Sequence, residues 1–283
     1  MLKPESQYMP EDVSSEKSQE KALLDELHAH IVRDFEGERD PRTGKILRKG
    51  YRPQLEDFHD IFPSDEIARD KELVRMLEAK WEKDPGARVN QEASELLEGL
   101  LAIDGAEEGW FGEETYVVPV SKYDDYKNGV DFVLEIPQRN GVLRIGVDVT
   151  LSRDNSVLNH KKAREGLTAL KYFSSEAEER TRGIFEGIPR VVVDLSVSRK
   201  MKKAELLALK VRRGDQFSRN LFRHHGLREE VINKILDGLD RGLKSTLNGD
   251  ADKDNPHQRQ QRIDTYKDCI VAVKDLVPSR GEQ

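Results

Sequence analysis

Two alternating runs on either side of a two-residue turn signal constrain this chain more than any other feature. Residues 130–136 read VDFVLEI and residues 143–151 read LRIGVDVTL, with Asn140-Gly141 between them. Strand side chains alternate between faces, and Asn-Gly between such runs signals a hairpin. With Asn140-Gly141 in the turn, Arg139 faces Val142, Val133 faces Asp148 and Asp131 faces Thr150. Asp131, Val133 and Glu135 then share a face with Gly146, Asp148 and Thr150. Phe132, Leu134, Ile136, Ile145, Val147, Val149 and Leu151 share the other, which is wholly apolar. A slip of one residue would destroy that partition. The expected object is a hairpin that buries one face and carries two aspartates at diagonal distance on the other, with Glu135 nearby.

The flanking sequence predicts the elements around it. Residues 115–120 (TYVVPV) form another β run, which Pro119 marks as an edge or an early end. Residues 190–197 (RVVVDLSV) form a valine-dense strand suited to the centre of a sheet. A helix over 90–103 precedes them, with Ala93, Leu96, Leu97, Leu100 and Leu101 in one stripe. Residues 155–173 read as a helix before the last strand. The fold class is therefore α/β, with an αβββαβ core and a mixed four-stranded sheet at 88–200. Residues 1–17 are a polar tail expected to be disordered. Residues 18–87 form an N-terminal helical extension with a loop at 36–63, and residues 201–283 a C-terminal helical region.

Two carboxylates this close repel each other, and burial makes that worse. A divalent cation resolves the conflict. Mg²⁺ (or Mn²⁺) takes a few carboxylates, water and a substrate phosphate, and activates a phosphoryl group for attack.

Here the region resembles the PD-(D/E)xK nuclease superfamily, whose core has a restriction-endonuclease-like αβββαβ order. Gly129-Val130-Asp131 matches its first motif element, and Asp148-Val149-Thr150 its acid-x-Lys element, with Thr150 at the lysine position. The resemblance implies a metal-dependent endonuclease cutting DNA, less readily RNA, with Asp131 and Asp148 as metal ligands and Glu135 assisting. In some members the lysine sits on the following helix, where Lys161 and Lys162 lie. Lys162 is the preferred substitute and Lys171 the reserve. A glutamate from the first helix is also implied. Glu92, Glu95 and Glu98 are the candidates, and the helical wheel favours Glu92 because it borders the apolar stripe. The alternative is a catalytically inactive module of the same fold that binds nucleic acid or a protein partner. The oligomeric state stays open, a homodimer included.

Composition narrows the field further. The single cysteine, Cys269, rules out an intrachain disulfide and a cysteine-based zinc site. No apolar run follows Met1, and none reaches the roughly 18 residues a membrane helix needs, so a cytoplasmic, membrane-free protein is expected. Net charge is −7, but acids dominate before residue 153 and bases dominate 153–228. That basic segment could contact phosphates or lie over a core as solvated helix faces. Tyr123-Asp124-Asp125-Tyr126-Lys127 reads as a polar loop before Asp131, with Asp124, Asp125 and Lys127 as weaker candidates for the site. His224-His225 read as structural, and Asp250-x-Asp252-x-Asp254 lacks the glycine and glutamate of a calcium loop. No phosphate loop, zinc-peptidase or serine-hydrolase motif occurs.

Overall fold

The hairpin forms, but two residues out of the expected register. In the computed structural model, which describes residues 12–39, 46–83, 93–152, 154–179, 181–196, 198–248 and 256–276, strand β4 (Phe132–Gln138) pairs antiparallel with β5 (Gly141–Thr150). Gln138 faces Gly141 and Val133 faces Gly146, so Arg139-Asn140 makes the turn. A displacement of two leaves every side chain on its expected face, so the facial pattern could not separate the two registers. Gly141 takes φ +142° as the first residue of β5 rather than as part of the turn.

The sheet has five strands, not four. Their order is β3 (Tyr116–Pro119), β4, β5, β7 (Arg182–Asp194), β6 (Gly166–Ser174). β3 is an edge, as Pro119 required, and runs antiparallel to β4. β7 is central and parallel to β5, with Val192 beside Asp148 and Asp194 beside Thr150. The unexpected strand is β6, antiparallel to β7. The expected helix over 155–173 ends early as α5 (Asn155–Ala163). Leu167, Leu170 and Phe173 recur at helix-like spacing, but long-range packing overrides it. Phe173 meets Phe185 edge-on at 5.1 Å, and Tyr172 is enclosed by Phe58, Phe62 and Tyr123. The region read as a loop at 36–63 holds a small β1 (Glu38–Arg39)–β2 (Ile46–Arg48) pairing and a 3₁₀ turn at Leu55–Phe58.

One face of the sheet is sealed by helices from both ends of the chain. Phe132, Leu134, Ile145, Val147 and Val149 share a core with α1 (Asp12–Glu36), α3 (residues 93–107), α6 (Met201–Arg212), α7 (Gln216–Arg223), α8 (Gly226–Leu247) and α9 (Pro256–Asp275). The opposite face is not solvated. Val118, Val130, Val133, Leu170 and Ile188 form a second cluster there. Nearby, α2 (Ser64–Glu82) packs on α4 (Lys122–Asn128), which packs on β6. Among the described residues, no helix is long and apolar enough to cross a membrane.

Candidate functional site

Three carboxylates from three elements converge on one point. Glu98 comes from α3, Asp125 from α4 and Asp131 from the residue before β4. Each offers an oxygen, and these oxygens all lie within 4.8 Å of one another. α3 delivers Glu98 because it runs through the interior, with residues 96–105 all buried. Its second half, Leu100–Gly105, is π-helical, a local widening often found near functional sites. Ser121 caps α4 by accepting the Asp124 N–H, and Gly129 ends it at φ +67°, where a side chain is strained. Asp131 is clasped to β5. It donates its backbone N–H to the Val147 carbonyl at 2.8 Å, and its Oδ2 accepts the Val149 N–H at 2.6 Å.

Arg52 bridges two of the acids, donating to Asp125 at 3.0 Å and to Glu98 at 3.2 Å. It is 5% exposed, and its Nε has no partner. Its segment lies hard against the end of α1, where the Arg52 N–H meets the Phe35 carbonyl at 3.1 Å. Glycine at position 50 permits this, since a Cβ there would stand 2.0 Å from the same carbonyl oxygen.

Asp148 sits beside this cluster in a different state. Lys161 of α5 donates to its Oδ1 at 2.7 Å, and Arg190 of β7 bonds to its Oδ2. Arg190 also holds the Gly129 carbonyl at 2.6 Å. Asp148 is thus neutralised by two cations, whereas the three clustered acids share Arg52 and the field of Lys161.

The electrostatics follow from that imbalance. Burial pushes Glu98 up to about 8, and Asp125 adds to the shift while Arg52 opposes it. Burial, then Glu98, Asp125 and Asp148, hold Asp131 well above the usual carboxylate range. Asp125 is also raised, by burial against the pull of Arg52. Burial alone would lower Lys161, but Asp148 and Asp131 outweigh it and raise it, so Lys161 is an ammonium. Near neutral pH Glu98 therefore keeps a proton that a cation bound by the cluster would displace. Affinity for Mn²⁺ is expected to tighten about tenfold per pH unit between pH 6 and 8 for each proton released. Calorimetry in buffers of different ionisation enthalpy measures that release, and a flat pH dependence would contradict it.

A cavity of about 570 Å³ opens over the cluster. Arg52, Glu98, Asp125, Thr150 and Lys161 line its polar part, and Val32, Phe35, Tyr126, Leu151 and Val157 its apolar part.

Several expected residues are placed elsewhere. Glu135 shares the face of Asp131 but lies four residues along, roughly 13 Å at strand spacing. Its oxygens accept from Arg144 Nε at 2.8 Å, Ser175 Oγ at 2.8 Å and the N–H groups of Glu176 at 2.8 Å and Ala177 at 3.0 Å. It pins the β6–β7 connection and is no part of the cluster. Glu135→Ala should cost about 3 kcal/mol in urea melts, because it strands buried donors, while leaving cation affinity unchanged. Lys162 meets Asp194 at 4.0 Å, and it is its neighbour Lys161 that bonds Asp148, since one helical step turns a side chain by about 100°. Lys171 is held by Glu66 and Asp70 at the far side of α4. Glu92 lies outside the described residues. Glu95 lines the cavity and meets His28 at 3.4 Å, and Glu98 joins the cluster instead.

Sequence reasoning missed Arg52 and Arg190, and it underweighted Asp125. Asp124 is structural, accepting the Lys171 and Tyr172 N–H groups at 2.8 and 2.9 Å. Much of the basic segment serves the fold. Arg212 pairs with Asp104 and Asp34, and Arg219 and Arg223 with Glu108. Comparison with protein-family models, curated proteins and solved structures finds no match for this chain.

Proposed function

We propose that the chain is a divalent-cation-dependent phosphodiesterase of the PD-(D/E)xK type that hydrolyses DNA. The observation that carries this reading is the convergence of Glu98, Asp125 and Asp131 beside the Asp148–Lys161 pair. The order α3, β3, β4, β5, α5, β7, with β5 and β7 parallel, is consistent with the αβββαβ core, and β6 would be an insertion in it.

The donor set fits the ion. Buried carboxylate oxygens with raised proton affinity are hard ligands lacking sufficient counter-charge, and a hard cation suits them. Glu98, Asp125 and Asp131 would hold Mg²⁺ or Mn²⁺. The ion would supply Lewis-acid activation of the phosphoryl group and of the attacking water. Lys161, kept protonated, donates toward a phosphoryl oxygen and steadies developing negative charge rather than acting as a base. Thr150 lines the cavity in place of the motif lysine.

Plasmid nicking and Mn²⁺ calorimetry test this together. Lys161→Ala should retain cation binding and lose nicking by about 10²-fold or more. Lys162→Ala should leave both near wild type. Equal loss in the two variants would refute the assignment of Lys161.

A non-catalytic nucleic-acid-binding module is the second reading, favoured by the closure of Asp148 between Lys161 and Arg190. Steeply salt-dependent DNA binding without cleavage in Mg²⁺ or Mn²⁺ would decide for it.

A further inference from the structure

The cavity over the acids is walled by four helices and mixes charged with apolar residues. Glu98 and Asp125 line it, and Asp131 and Asp148, at 7% and 2% exposure, lie behind them against Glu98, Asp125 and Lys161. Helices α1, α3, α4 and α5 each contribute lining residues, so Glu98 and Asp125 are approached between helices. A stacked, paired nucleotide keeps its phosphate on the outside of a rigid cylinder. A phosphate that enters the cavity to meet Glu98 and Asp125 does so most readily when its nucleotide leaves the stack.

The depression has room for it. At about 570 Å³ it lies in the range of small-ligand pockets. Its wall is apolar where a base would lie. Tyr126 is half-buried in that wall, Phe35 lies under the Arg52 guanidinium, and Leu151 offers an aliphatic flank. Val32 of α1 and Val157 of α5 line the same cavity and are 37% and 42% exposed. Its cations suit a phosphate. Lys122 and Lys161 line it, paired with Glu36 and Asp148, Glu95 lines it too, and the buried Arg52 guanidinium, stacked 4.9 Å over the Phe35 ring, carries an unpartnered Nε–H. An apolar wall with an aromatic ring beside cationic donors is the chemistry of an unpaired nucleotide.

We infer that the cavity receives one unstacked nucleotide, so that the preferred substrate is single-stranded nucleic acid rather than an intact duplex. This inference rests on the phosphodiesterase reading for its catalytic consequence, but the binding event needs no catalysis. Tyr126 and the aliphatic wall supply the contact with the base, and the exposed valines shield it from water.

The test uses the full chain, a fluorescent deoxyoligonucleotide and the blunt duplex of the same sequence. Anisotropy is measured in EDTA, so that nothing is cut. The single strand should bind at least about tenfold more tightly than the duplex, the scale of losing one stacked base. Val157→Trp fills the mouth from α5 and should erase that preference. Val32→Trp does the same from α1, and serves if the first variant fails to fold, as judged by circular dichroism. Equal binding of strand and duplex, or a preference untouched in a folded tryptophan variant, would overturn the inference. Cleavage in Mn²⁺ is scored separately. Strand-selective binding without cleavage supports the nucleotide pocket and sinks the phosphodiesterase reading. Duplex cleavage unaffected by either tryptophan does the reverse.

Discussion

Asp131→Asn is expected to abolish metal-dependent nicking, by about 10²-fold or more, and yet to raise the melting temperature of the metal-free protein at pH 8. The two effects have one cause. Asp131 is held well above the usual carboxylate range by burial and by Glu98, Asp125 and Asp148. A group with a raised folded-state pKa binds more protons folded than unfolded. Its contribution to stability is complete at pH values below the unfolded carboxylate pKa and is lost as pH climbs through the folded value. For Glu98 that window runs from the ordinary value of 4.5 to about 8. Metal-free wild type should therefore lose stability, on the order of a few kcal/mol, as pH rises through it. Asparagine mimics the protonated acid, still offers an oxygen to the Val149 N–H, and removes the repulsion. The variant's stability should vary less with pH, and excess Mn²⁺ should stabilise wild type but not the variant. Scanning calorimetry at pH 5 and pH 8, with and without Mn²⁺, reads all of this. A variant less stable than wild type at pH 8 would contradict the account.

Arg190→Met should be the most damaging single change near the site. The Arg190 side chain is 2% exposed and holds Asp148 and the Gly129 carbonyl. Removing it leaves that carbonyl and half of Asp148 without a donor in a buried setting. Breaking such a pair costs about 3–5 kcal/mol, a large share of the roughly 5–15 kcal/mol that holds a domain together. The double variant Arg190→Met/Asp148→Asn no longer buries a lone charge and should regain about half of the loss. Urea denaturation of the single and double variants checks this. A single-variant loss under about 1 kcal/mol would mean that Lys161 alone suffices for Asp148.

The hairpin was legible in the sequence because its two faces differ so sharply, and both aspartates were found by that contrast. Its register was not, since an even displacement preserves the faces. Glu98 was passed over on an assumption about α3. A helical wheel separates a buried stripe from a wet side, but residues 96–105 are buried on every side, so distance from the stripe carried no information. Arg52 and Asp125 come from stretches read as loop, where no periodicity marks an inward-facing charge. β6 reads as helix because Leu167, Leu170 and Phe173 recur every third residue, which suits a helix, and its register breaks at Thr168/Leu170 and Leu170/Phe173 let the strand place them against distant partners. Lys161 and Lys162 differ by one helical step, which depends on the orientation of α5 against the sheet. Long-range packing fixed each of these.

The shared core of sheet and terminal helices sets a timetable for synthesis. Phe132, Leu134, Val147 and Val149 are sealed in part by α8 and α9, and the buried set extends to Val273. After residue 200 emerges, translation needs roughly 4–15 s to deliver those helices. Throughout that interval the part of the sheet face that α8 and α9 cover stays open to solvent, while α1 and α3 already shield the rest.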